Sequence, residues 1–138
     1  MNVKIVADST CDLSADLIEK YDITIIPLCI VMGENSYFDG IETTPEEIYK
    51  WADANKTTPK TAAVTIDNAA SLLKPFMDED REIVFFGISS QMSTTCNVVR
   101  LIGEEAGYDK LHVIDSQSLS TGIGLQVLYA ARLSMAGE

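Results

Sequence analysis

Basic and imidazole groups are scarce in this sequence: 10 lysines and arginines stand against 21 acids, with one histidine, for a formal charge of −11 over 138 residues. Such a surplus of negative charge repels a phosphate backbone or an anionic membrane surface at long range, so no nucleic-acid partner is expected. Cysteine is sparse as well. Cys11, Cys29 and Cys96 are odd in number and widely spaced, which fits neither a disulfide framework nor the paired spacing of a zinc site, and they read as reduced thiols. Long apolar runs are missing. The longest, Ile23 to Met32, is broken by Thr24 and Pro27 and falls far short of the roughly 20 residues of a membrane helix, so no stable membrane insertion is expected. No basic segment leads into an apolar region after Met1, which makes the cytoplasm the expected location. Phosphate-cradling loops of the Gly-x-Gly-x-x-Gly or Walker type are also absent. Gly122-Ile123-Gly124 is only a fragment of one, and Gly87-Ile88-Ser89-Ser90-Gln91 lacks the second glycine of a nucleophile elbow.

What is present is a hydrophobic content of 46%, enough to close a single core in a chain of one-domain size. Val3 to Ala7, Ile23 to Ile26, Ile83 to Ile88 and Leu111 to Ile114 read as strands. Helical patterns follow from Leu13 to Tyr21, from Thr65 or Asp67 to about Met77, from about Ser93 to Ala106 with Gly107 as C-terminal cap, and from Ile123 nearly to Ala136. Thr44-Pro45-Glu46-Glu47 combines an N-cap, a proline at the first helical position and a glutamate at the third, a capping box for a helix through about Asn55. Alternation of strand and helix predicts an α/β fold. Its parallel sheet would carry helices on both faces, Rossmann-like and doubly wound. One excursion interrupts the alternation: Leu28 to Met32 and Tyr37 to Gly40 read as a hairpin near 28–40 about a four-residue turn, Gly33 to Ser36. Lys56 to Ala63 reads as an unperiodic polar connection.

In an open parallel sheet, ligands sit outside the carboxyl ends of the strands. Three loops are expected there: Asp8-Ser9-Thr10, Ser89 to Thr95, and Asp115 to Thr121. All are rich in hydroxyls, and none holds Lys, Arg or His. A site built of neutral donors and helix N-termini suits a singly charged carboxylate better than a polyphosphate, which recruits cations. Serine and threonine also gather at helix starts as caps, each worth about 1 kcal/mol. Yet Ser89, Ser90, Ser93, Thr94 and Thr95 place five hydroxyls in seven residues, more than one helix end can use. His112 sits within a strand and reads as a sheet-face residue, and Cys96 has no neighbouring histidine in sequence to activate it. No acid–base pair is evident.

Taken together, Ile5-Val6-Ala7-Asp8-Ser9-Thr10, Ile26-Pro27-Leu28, Phe38-Asp39-Gly40, Pro59-Lys60-Thr61, Ile88 through Thr95, and Ile114-Asp115-Ser116 resemble the DegV family in order and spacing over nearly the whole chain. The resemblance implies a fatty-acid-binding protein whose N-terminal α/β domain, here 1–138, holds the carboxylate while a second domain, outside this chain, closes over the acyl chain. The chain is then read as a fragment. It also implies a carrier subunit, not an enzyme: a long-chain fatty acid is the ligand, no cofactor is used, and a separate fatty-acid kinase receives the acid for acyl phosphate formation. By the family's pattern Thr61 and Ser93 carry over as hydroxyl ligands of the carboxylate and the N–H of Thr94 as a backbone donor. Ser9, Ser89 and Ser90 join them as ligand candidates from the hydroxyl-rich loops. The chain departs from the pattern in two places. It has Thr61-Ala62-Ala63-Val64 where the family writes Thr-Ser-x-Pro, and Ser93-Thr94-Thr95 where the family writes Ser-Gly-Thr. The first removes a hydroxyl, and the second adds a Cβ where close backbone approach to a ligand is expected. The same loops also admit an enzyme, a phosphotransferase using Asp8 or a hydrolase using Ser89, or a nucleotide-binding regulator on the same fold.

Overall fold

The computed structural model describes residues 3–138. In chain order its elements are β1 (Lys4–Asp8), a 3-10 turn (Ser9–Cys11), α1 (Ala15–Lys20), β2 (Thr24–Ile26), β3 (Cys29–Met32), β4 (Asn35–Phe38), α2 (Pro45–Asn55), β5 (Lys60–Ala62), α3 (Ile66–Asp78), β6 (Ile83–Gly87), α4 (Thr95–Ala106), β7 (Leu111–Asp115) and α5 (Thr121–Ala136). Four of the strands form a parallel sheet in the order β2-β1-β6-β7.

Alternation along the two central strands explains why this sheet is covered twice. Successive side chains of a strand leave on opposite faces. Val6 of β1 and Ile83 and Phe85 of β6 therefore pack with Leu73 of α3 and Val99 and Ile102 of α4, while Ile5 and Ala7 of β1 and Phe86 of β6 pack with Ile123, Val127 and Ala131 of α5. The architecture is the doubly wound α/β fold that the alternating pattern predicts. Pro27 follows β2, which is an edge strand, and there the chain leaves the sheet, as a residue without a ladder donor favours. β7 is the other edge, with His112 and Ile114 exposed. His112 meets Glu82 at 2.7 Å on the sheet surface.

The excursion is larger than a hairpin. β4, β3 and β5 form an antiparallel sheet in that order. The turn between β3 and β4 holds two residues, Gly33 and Glu34, not four, because Asn35 and Ser36 remain paired with Met32 and Val31. Gly33 has φ +66°, the left-handed backbone that two-residue hairpin turns demand and that glycine adopts without a Cβ penalty. β5 falls where a polar connection is expected: Thr61 pairs with Ile30 and Ala62 with Cys29. All three of its side chains are exposed, so backbone pairing forms this strand without any hydrophobic alternation to announce it. The capping box of α2 is present as its sequence predicts, Thr44 N–H donating to Glu47 Oε2 at 2.9 Å and Glu47 N–H to Thr44 Oγ1 at 3.3 Å. Among the described residues, no helix is long and apolar enough to cross a membrane.

Candidate functional site

The chain runs from β1 outward to β2 on one side, then returns across the sheet to β6 on the other. The crossover direction therefore reverses between β1 and β6, and the crevice outside their carboxyl ends is where an open α/β sheet receives a ligand. Asp8 joins the two strand ends. Its fully buried carboxylate accepts from Ile88 N–H at 2.7 Å, from Thr10 N–H at 2.9 Å and from Thr10 Oγ1 at 2.5 Å. Burial pushes its pKa up, and hydrogen bonds from Thr10 and Ile88 oppose that rise. The carboxylate is engaged in holding the loop.

Most other hydroxyls of the strand ends are engaged in the same way. Ser9 Oγ accepts from Leu28 N–H at 3.1 Å, tying the 3-10 turn to the chain beyond β2. Ser89 Oγ accepts from Gln91 N–H at 3.3 Å, and Ser89 N–H donates to Ser118 O at 3.0 Å. Ser90 is exposed and turned toward Asp115, its N–H donating to Asp115 Oδ1 at 3.2 Å. Hydrogen bonds from Ser90 and from Gln117 N–H hold the Asp115 carboxyl below the usual carboxylate range. In the third loop, Ser116 and Ser118 bond each other's loop atoms, and Ser120 Oγ donates to Asp12 Oδ2 at 2.6 Å. Ser120 holds φ +57°, and Gly124 lets α5 pass close by, since a Cβ there would stand 2.7 Å from Cys11 O. The second glycine of the Gly122-Ile123-Gly124 fragment thus serves the packing of α5.

Beside this braced framework lies a cleft of about 420 Å³. Its polar wall holds Thr10, Thr61, Ser93 and Thr94, and its apolar wall Leu28, Ile88, Met92 and Leu119, with Ala62 and Ala63 at the β5 side. Met92 and Leu119 are exposed. Of the candidate ligand residues, Thr61, Ser93 and Thr94 come together here, from β5 on one side and the start of α4 on the other. Ser9, Ser89 and Ser90 do not line the cleft. No lysine, arginine or histidine lines it, so any anion must be met by hydroxyls and N–H groups. Sequence reasoning did not single out Leu28, Ile88, Met92 and Leu119 as lining residues, because apolar residues of a cleft carry no mark that separates them from the core.

α4 starts at Thr95, two residues later than the periodicity suggests, because Ser93 N–H and Met92 N–H bond back to Ser89 O in a turn. Thr94 occupies the N-cap position with no side-chain cap bond, and its backbone stands at φ −85°, ψ 4°. That conformation is open to any L-residue, so threonine in place of glycine brings no backbone strain. Its N–H has no acceptor among the described residues. A helix start leaves such N–H groups without intrahelical partners, and its dipole end is positive. Cys96, the second residue of α4, is buried against Ile88 O and Ile114 O. Burial, then the charges of Asp115 and Asp8, push its pKa up to about 11, far from a reactive thiolate. A second groove of about 520 Å³ separates α3 from α4, lined by Ile66, Ala70, Met77, Ile102 and Tyr108. Of its charged members Lys74, Asp78 and Glu105, the first two form an exposed i,i+4 pair. Among the described residues, no group of three or more His, Cys, Asp or Glu could hold a metal ion.

Residues 2–138 match the profile of a family described as uncharacterised proteins of the DegV family. A DegV domain-containing protein of Clostridium perfringens is 38% identical over 135 residues, covering 98% of this chain and 48% of the relative. The chain spans about half the length of the curated relatives it matches. Among solved structures, a stearic-acid-binding protein from Eubacterium ventriosum is 32% identical with a TM-score of 0.87, covering 98% of this chain and 48% of that one. A fatty-acid-binding DegV family protein from Thermus thermophilus is 28% identical with a TM-score of 0.90, covering 100% of this chain and 49% of that one.

Proposed function

This chain belongs to the DegV family, and on that premise we propose that it binds the carboxylate of a long-chain fatty acid in the cleft between β5 and the start of α4. The observation that carries this reading is the convergence of Thr61 and Ser93 with Thr94, whose N–H has no acceptor among the described residues, in a cleft lined by no cationic residue. Three neutral donors, two of them at a helix start and one on β5, match the single charge of a carboxylate, whereas a polyphosphate calls for lysine, arginine or a metal. The exposed Met92 and Leu119 at the same cleft provide an apolar surface for the first methylenes of an acyl chain.

In this reading the chain is the N-terminal domain of a longer cytoplasmic carrier. A second domain covers the acyl chain, and a fatty-acid kinase receives the presented carboxyl group to form an acyl phosphate. The enzyme alternatives draw less support. The Asp8 carboxylate is buried under three hydrogen bonds, and no histidine stands near Ser89.

Organic extraction of the full-length protein followed by mass spectrometry should recover about one long-chain acid per molecule. Protein that is repeatedly empty and fails to bind added acid would rule the reading out. Ser93→Ala should weaken fatty-acid binding by roughly 10- to 150-fold, the equivalent of one hydrogen bond to a charged group. Ser90→Ala, outside the cleft, should leave it unchanged.

A further inference from the structure

Ser93 does not stand alone in the cleft wall. Its Oγ lies 2.9 Å from Thr95 Oγ1 and accepts from Thr95 N–H at 3.2 Å. Thr95 Oγ1 in turn accepts from Val64 N–H at 3.4 Å. Thr95 is fully buried, and Val64 is buried as well. A hydroxyl carries one hydrogen and two acceptor positions, so the direction of the bond between the two oxygens can be worked out. If Ser93 donated to Thr95, the hydrogen of Thr95 would be left in the core with no acceptor, since among the described residues Ser93 Oγ is the one acceptor within its reach. Leaving a buried donor unsatisfied is far costlier than making the bond the other way round. Thr95 therefore donates to Ser93. Ser93 Oγ then accepts twice, from the N–H and the hydroxyl of Thr95, and both its acceptor positions are filled. Its own hydrogen has no acceptor among the described residues and is left for the cleft.

We infer that Thr95 is a positioning residue that fixes Ser93 as a donor toward the cleft, so that the site selects headgroups offering only acceptors over headgroups offering only donors. The inference rests on the proposed carboxylate reading of this cleft and extends it to the origin of its selectivity. The same hydroxyl does a second task. Val64 follows β5 by two residues, so its bond to Thr95 joins the strand that carries Thr61 to the helix start that carries Ser93 and Thr94. One buried threonine thus sets both the polarity and the spacing of the donors.

The test compares a long-chain fatty acid with the primary alkylammonium of equal chain length, titrated by calorimetry into the full-length protein and its Thr95→Val and Thr95→Ser variants. Valine keeps the shape of threonine and removes the hydroxyl, while serine keeps the hydroxyl. In Thr95→Val one acceptor position of Ser93 is freed and its hydrogen is no longer directed. The acid-to-ammonium affinity ratio should then fall on the order of tenfold or more, with Thr95→Ser retaining the wild-type ratio. An unchanged ratio in Thr95→Val, or an equal loss for both ligands, would overturn the inference while leaving the carboxylate reading in place. Failure of the wild-type protein to bind the acid at all would overturn the carboxylate reading and this inference with it. Should Thr95→Val lose its thermal transition, the wild-type protein alone decides. By NMR the buried Thr95 hydroxyl proton should exchange slowly enough to be observed, while that of Ser93 in ligand-free protein should not; the reverse pattern would overturn the inference.

Discussion

At the scale of single residues, the partner a hydroxyl already has decides what it can do. Ser9 and Ser89 are tied into their loops away from the cleft and Ser90 is turned to Asp115, whereas Ser93, whose oxygen also accepts from a backbone N–H, lines the cleft with Thr61. Their crowding after a buried strand was visible in the sequence. Their ranking was not legible in the residue types, because it depends on partners such as Ser118 and Leu28 that lie far along the chain, and only the family resemblance singled out Thr61 and Ser93. Cys96 is a second case. Its place near a helix start suggests an activated thiol, yet burial and the charges of Asp115 and Asp8 push its pKa up to about 11. Alkylation of the native protein at mildly alkaline pH should leave Cys96 unmodified, as peptide mass mapping would register, and denaturant should make it react at the rate of an ordinary thiol.

Among the elements, local chemistry and long-range contact divide the work differently. The capping box of α2 is legible because all its atoms lie within four residues. The two-residue turn at Gly33 and the strand β5 were not legible in the same way. Cross-strand pairing to β3 extends β4 back to Asn35 and draws Lys60–Ala62 into the sheet, although nothing in the local pattern of either segment requires it. Gly124 on α5 is a further instance, since its lack of a Cβ matters only because Cys11 O and Leu13 come within 2.7 and 3.0 Å of where one would stand. Gly124→Ala should gain about 1 kcal/mol of helix propensity and lose about 1–3 kcal/mol to the clash. The expected net result is a lower denaturation midpoint in urea, the opposite of what alanine does at an open helical glycine.

For the molecule as a whole, the charge of −11 and the buried Asp8 act in the same direction. Self-repulsion of a compact acidic chain weakens as carboxylates are protonated or as salt screens them. Asp8 has a folded-state pKa raised by burial. Its contribution to stability is therefore fully present below its unfolded pKa and is lost as pH rises through its folded value. Asp115 runs the other way: its lowered pKa gives a contribution present above its unfolded value and lost as pH falls through its folded value. Between neutrality and the top of the ordinary carboxylate range only the first effect operates. The melting temperature should rise on mild acidification from neutral pH, and should rise with added salt at neutral pH. Calorimetric scans across that range check both expectations, and a melting temperature that falls steadily from neutrality would contradict them.

By itself the sequence determined the doubly wound α/β class, the acidic surface, the location of the hydroxyl-rich strand ends and the absence of cations from them. These follow from residue types and short-range periodicity, which strand and helix geometry convert directly into faces and ends. Tertiary structure decided the third strand of the small sheet, the role of Asp8 in joining β1 to β6, and which hydroxyls face a cleft. It also decided the direction of the proton between Thr95 and Ser93. Each of these depends on groups far apart in the chain, Asp8 with Ile88 or Val64 with Thr95, and a buried polar atom takes its role from the partner that satisfies it, wherever the fold has placed that partner.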